Sequence, residues 1–201
     1  MTASLARTCT VALALAVSAG TRGAEPSLEA GDVVLQTSRS SQSRAIREAT
    51  GSPWSHVGIV DVGPDGPHVI EAIAHVSRTP WTAWRARGEA GRVLVLRARG
   101  LPAPARARAA AVARGLMGRP YDVRFEWGDD RLYCSELVAK AYLRGTGRAL
   151  GRMQRLRDLR VGGLDRAIAA RYGGRVPWDL RLVTPASIAA DPALSPVYAF
   201  P

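Results

Sequence analysis

A chain of 201 residues, 47% of them hydrophobic, is the size of one domain that can bury its own core. The formal charge of +11 ordinarily points to an anionic partner. Yet Lys140 is the sole lysine among 28 basic residues and no aromatic side chains interleave with the arginines, which argues against nucleic acid and leaves peripheral contact with an anionic cell envelope as the simpler expectation.

Residues 1–24, MTASLARTCTVALALAVSAGTRGA, set Arg7 ahead of a short apolar run that closes on small side chains. That is the layout of a secretory signal peptide, too short to span a membrane. The expected signal peptide is 1–19, with cleavage between about residues 19 and 24. Arg7 and Thr8 before Cys9 do not form the small-residue box of a lipid-bearing cysteine, so soluble export to the periplasm or beyond is expected. The competing reading, a first core helix over 9–19, is broken by Gly20, Gly23 and Pro26. Residues 25–201 then form a single domain, with no repeat or low-complexity linker dividing it.

GDVVLQ (31–36) reads as a strand and 41–50 as a helix. SHVGIVDV (55–62) and HVIEAI (68–73) are β-rich runs either side of GPDGP, a hairpin signal. VLVLRAR (93–99) is another strand, and 103–117 is an Ala-rich helix with Pro102 at its start and Gly118 at its end. Its arginines are either a lipid-facing patch or an ordinary solvated face. A further helix carries Cys134, Leu137, Val138, Ala141 and Tyr142 on an apolar stripe, with Glu136, Lys140 and Arg144 on the opposite face.

With Cys9 removed, Cys134 is the only cysteine of the mature chain and has no disulfide partner within it. Either it is a small buried core residue or it is kept for its reactivity. Its place in the first turn of a helix, facing unpaired N–H groups and the positive end of the dipole, favours a thiolate. A nucleophilic thiol needs a base, and His56, His68 and His75 are the candidates. His68 and His75 border turns and are expected in solvent. His56 opens a β-run beside Ser55 and Gly58, whose small side chains leave room for approach. Glu71 is the only ionisable group in VIEAIA; it either partners His56 across the hairpin or faces water on an edge strand.

GDVVLQ, SRSSQSRAIREATGSPWSHVGIV, IEA, GRPYD, DDRLYCSELV and VTPASIAADP, in this order and spacing, resemble the YiiX-like branch of permuted papain-fold amidases, kin of NlpC-type cell-wall peptidases and of lecithin–retinol acyltransferase. The histidine precedes the cysteine, as in the permuted group. The resemblance implies an α+β, circularly permuted papain-like fold, with an antiparallel sheet packed against helices and the nucleophile at a helix N-terminus. It implies Cys134 as nucleophile, His56 as general base and Glu71 as the group that orients the histidine, with Tyr121, Tyr133 and Ser55 near the substrate. No cofactor and no metal are expected, since no His/Cys/carboxylate cluster has ligand spacing.

The expected activity is hydrolysis of an amide, in a small peptide, an isopeptide or a cell-wall fragment, through an acyl-thioester. Two alternatives stand beside it: hydrolysis or transfer of an acyl ester or lipid, and a non-catalytic envelope-binding module. Intact Cys134, His56 and Glu71 argue against the last.

Overall fold

The computed structural model describes residues 27–200; the expected signal segment, including Cys9, lies outside the described residues. Six strands, β1 (Val33–Gln36), β2 (His56–Gly63), β3 (Gly66–Ala72), β4 (Val76–Pro80), β5 (Val93–Ala98) and β8 (Leu194–Phe200), make one antiparallel sheet, while β6 (Gln154–Arg155) pairs with β7 (Arg181–Leu182) elsewhere. The strand order β4-β3-β2-β1-β5-β8 puts the hairpin that carries His56 and Glu71 at one side of the sheet. The turn pairs Gly63 with Gly66, and Gly66 takes the left-handed φ of 94° that a tight hairpin demands.

Alternation along the strands sorts two cores. Val57, Ile59 and Ile70 face helices α3 (Ala103–Arg114) and α4 (Cys134–Thr146), whereas Val60, Val69 and Val95 face the short α2 (Trp81–Ala86) on the other side. Each of these side chains is fully buried, a contribution of about 1.5–3 kcal/mol apiece before entropy is counted. Helices α3 and α4 approach closely because small residues line their seam: a Cβ built on Gly145 would lie 2.7 Å from Ala109 Cα. On the second face, Trp81 and Trp84 of α2 stack with ring centroids 5.6 Å apart. Their bulk covers the part of the sheet where Glu71 lies.

Helix α1 (Ser41–Thr50) follows β1, capped by Ser40 and ended by Gly51 at φ 63°. Helices α5 (Asp165–Arg171) and α6 (Pro185–Ala189) complete the fold. The excursion between α4 and α6 builds a small core of its own, in which Leu156, Leu182 and Tyr133 are buried with Phe125 and Ile168 packed against them. Strand β4, helix α2 and this excursion were not among the predicted elements.

One expectation is corrected here. The Ala-rich helix ends at Arg114, with Gly115 as its cap, and residues 116–118 form a turn. Of its three arginines, Arg106 is buried against Glu29 and the Leu101 carbonyl, while Arg108 and Arg114 are exposed and reach the Gly145 carbonyl and Asp61 from a solvated face. On the face of α4 opposite the apolar stripe, Glu136 and Lys140 are both buried as an ion pair of 2.7 Å. The loop 122–131 folds over them: Gly128 N–H donates to Glu136 and Lys140 donates to Asp129. Burial pushes the Glu136 carboxyl up to about 7 against the opposing pull of Lys140.

Candidate active site

Tyr133 precedes α4 in extended conformation, so Cys134 is the first helical residue, beneath the N–H groups that have no acceptor within the helix. The thiol is unpaired and 3% exposed. Ser135 anchors the turn by donating to the Val183 carbonyl at 2.8 Å.

His56 begins β2, opposite Gln36 of β1, at the end of the sheet. The β2–β3 register sets Glu71 across from Gly58 (extending Ile59↔Ile70), two pairs along from His56, and His56 Nε2 lies 2.6 Å from Glu71 Oε2. Gly58 makes that approach workable. A Cβ there would stand 2.4 Å from Val69 Cγ1 and 3.5 Å from Glu71 Cβ. The space that glycine leaves is therefore filled from beneath by β3, not kept open for a substrate.

Glu71 is fully buried and its second oxygen is also engaged, accepting from Thr79 Oγ1 at 2.6 Å and from the Arg87 guanidinium. Burial would raise its carboxyl; the hydrogen bond and charge of His56, then Thr79 and Arg87, outweigh it and hold the group below its ordinary value. With Nε2 committed to Glu71, the other ring nitrogen is the one left to serve Cys134, which lines the same groove. Burial lowers the imidazole's pKa, but the bonds to Cys134 and to Glu71 overcome it and carry it to about 9. Trp84, fully buried with its ring 6.4 Å from that of His56, keeps water from this side of the pair. A dry setting strengthens each of these charge interactions.

Tyr121 reaches the same place from another element. Its N–H donates to the Ala74 carbonyl at 3.0 Å and its backbone bridges Leu132, two residues before the cysteine. Gln42 Nε2 donates to its hydroxyl oxygen at 2.8 Å, which leaves the tyrosine's own proton free for another acceptor. Burial, aided by the charge of Cys134, pushes the phenol up, so the proton stays on it. Ser55 is buried, its hydroxyl accepting from Ser38 N–H and from Ser43 Oγ at 2.6 Å, and it ties the start of α1 to the sheet. The Tyr133 ring is also buried; its hydroxyl accepts from Val183 N–H at 3.2 Å. His68 is not in solvent as expected: it is 8% exposed, with Nδ1 3.1 Å from the Gly66 carbonyl and Nε2 3.4 Å from Asp65. His75 is exposed.

Two spaces meet at Cys134. A groove of about 580 Å³ is lined by Cys134, His56, Ser55 and Tyr121 together with Ser38 and Ser40. A tighter cavity of about 110 Å³ lies on the other side, walled by Cys134, Ile46, Leu164, Ile168 and Leu182, with Tyr133 among its walls. Sequence reasoning missed Gln42, Thr79, Trp84 and Arg87. Gln42 lay within a stretch that carried the family resemblance, but nothing in the sequence tied it to Tyr121.

Comparison with known proteins bears on this arrangement. The family model described as permuted papain-like amidase enzyme, YaeF/YiiX, C92 family, matches residues 27–198. The uncharacterized protein YiiX of Escherichia coli strain K12 is 38% identical over 172 residues, covering 84% of this chain and 85% of that one. A crystal structure of yiiX from Escherichia coli O157:H7, described as a metalloprotein, superposes with a TM-score of 0.82 at 36% identity, covering 86% of this chain and 97% of that one.

Proposed function

The chain belongs to the permuted papain-like amidases of the YaeF/YiiX, C92 family, and from that premise we propose that it is an exported thiol hydrolase that cleaves an amide bond through Cys134, His56 and Glu71. The observation that carries this reading is the setting of His56, whose Nε2 lies 2.6 Å from the buried Glu71 and which lines one groove with Cys134. Glu71 fixes the ring and favours imidazolium, and imidazolium beside the sulfur favours thiolate. The thiolate attacks the carbonyl carbon. The oxygen that becomes negative is met by the Cys134 backbone N–H and the free proton of Tyr121. His56 gives its proton to the departing amine, and water then attacks the thioester with His56 as base. A binding module would have no need of this set.

The apolar cavity favours a second reading, in which the acyl part is a lipid or other hydrocarbon and the scissile bond an ester. Cys134, His56 and Glu71 would act in the same way on it. The metal implied by the description of the Escherichia coli structure does not fit the residues at hand. Among the described residues no group of three His, Cys, Asp or Glu side chains is placed to hold an ion, and Glu71 is spent on His56, Thr79 and Arg87. No step is routed through a metal.

The test is alkylation of the folded protein by iodoacetamide at pH 6, where an ordinary thiol is mostly protonated. Cys134 should react faster than free cysteine, and envelope extracts should leave an acyl adduct on it that mass spectrometry identifies. A rate no greater than that of the free amino acid would overturn the reading. The mature protein should also lack its first 19 to 24 residues, as removal of the signal segment requires.

A further inference from the structure

Beyond the groove, Ser38 and Ser40 also line a neighbouring depression of about 490 Å³ whose remaining walls are Arg39, Arg44, Arg47 and Glu89. Three guanidinium groups thus meet one carboxylate, and none is well used. Arg44 has no ion-pair partner among the described residues and is exposed. Arg47 reaches Glu89 only at 3.6 Å, beyond hydrogen-bond range, and its Nε is buried without a partner. Arg39 has a single long contact, 3.4 Å to the Gly88 carbonyl.

Stability alone does not explain the placement. Arg44 lies in the first turn of α1 and Arg39 just before it, with no acidic residue in that turn. Cations at the positive end of a helix are disfavoured, and the preference there is for negative charge. A local rule broken in this way is what a functional site produces. By contrast, several arginines elsewhere are tightly matched to acids, as Arg78 and Arg114 are to Asp61 and Arg97 is to Asp32.

Position relative to the triad says which part of a substrate would come here. The apolar cavity is bounded by Cys134 and Ser135 without His56, whereas the groove holds His56. The group that leaves must receive its proton from His56, so it departs along the groove, toward Ser38, Ser40 and the arginines.

We propose that the depression lined by Arg39, Arg44 and Arg47 is a subsite for an anionic group, a carboxylate or a phosphate, carried on the leaving amine of the substrate. This rests on Cys134 being the nucleophile. The substrate class it defines is an amide joining an apolar acyl group to a negatively charged amine. Arginine suits either anion because its planar fork can donate two parallel hydrogen bonds.

The experiment uses iodoacetyl reagents extended by ω-amino acids of increasing length, each compared with its neutral carboxamide, and a parallel series ending in phosphate. The second-order rate of Cys134 alkylation is measured at low ionic strength. At the length that spans from the thiol to the depression, the anionic reagent should react at least tenfold faster than its neutral twin, and the better series identifies the anion. In Arg44→Gln/Arg47→Gln the preference should fall to near unity while the neutral rate stays unchanged. In Arg108→Gln/Arg148→Gln, at the far end of α4, it should persist. A ratio near one at every length would overturn the subsite, as would a preference that survives loss of Arg44 and Arg47, which would reflect the general positive field. Slow reaction with the neutral reagents would instead strike at the nucleophile itself, so the two failures are distinguishable.

Discussion

Cys134 has unlike surroundings on its two sides. Toward His56 the walls are mixed and include the short polar side chains Ser38, Ser40 and Ser55, set beside strand ends and at the start of α1. Toward α5 they are Leu164, Ile168 and Leu182, supplied by the irregular chain between α4 and α6. The difference assigns separate tasks. The proposed acid–base groups sit on the sheet, where backbone pairing and a buried carboxylate leave His56 little freedom. The apolar wall is borne on loops and short elements that pack against one another and can vary without disturbing that frame.

The harshest way to break the polar side is to remove its proton carrier. His56→Ala should lower kcat/KM by roughly 10⁴, because the thiol loses its imidazolium partner and the leaving amine its acid. A kinetic assay on any amide substrate checks it, and the melting temperature should also fall because the buried Glu71 loses a partner. Glu71→Gln sharpens the comparison further: an amide can still hold the ring without favouring its charge, and a loss of roughly ten- to thousandfold is expected. The pH profile supplies the sign. His56 carries its proton below about 9 and loses it above, so activity that needs the acid is present below that pH and declines as pH rises through it. Without the Glu71 charge that limb should move to lower pH. The opposite wall is tested most gently by Ala45→Phe, which adds a ring to the 110 Å³ cavity. It should cost about tenfold in kcat/KM for substrates with a bulky apolar acyl group and leave iodoacetamide alkylation of Cys134 unchanged.

The same division marks how far the sequence could be read. Runs of β-branched residues announced β1, β2, β3 and β5, and the amphipathic 41–50 segment announced α1, because alternation and helical spacing are local properties. Strand β4, VSRTP, is short, half polar and ends in proline, so it pairs with β3 without a pattern of its own. The excursion after α4 is rich in arginine and glycine, and its apolar residues become a core only when they meet Tyr133 and Phe125. Cys134, His56 and Glu71 were found by residue type and by family resemblance. Their supporters, Gln42, Thr79, Trp84 and Arg87, act across loops and strands, where spacing says nothing. The burial of Glu136 and Lys140 could not be read for the same reason: the loop that covers them is invisible to the helix's own periodicity.

Because one sulfur opens on two spaces, the two products of a cleavage would not queue behind each other. Once a bond is cut, the acyl group stays seated in the cavity as a thioester and only the groove empties. Whatever next enters that groove decides the outcome: water completes a hydrolysis, while a second amine restores an amide. Under the proposed mechanism amine release and acceptor entry would share one doorway, so the freed amine would compete with water for the acyl-enzyme, and the kinetics would take the form of a substituted-enzyme cycle with the amine as its reversible inhibitor.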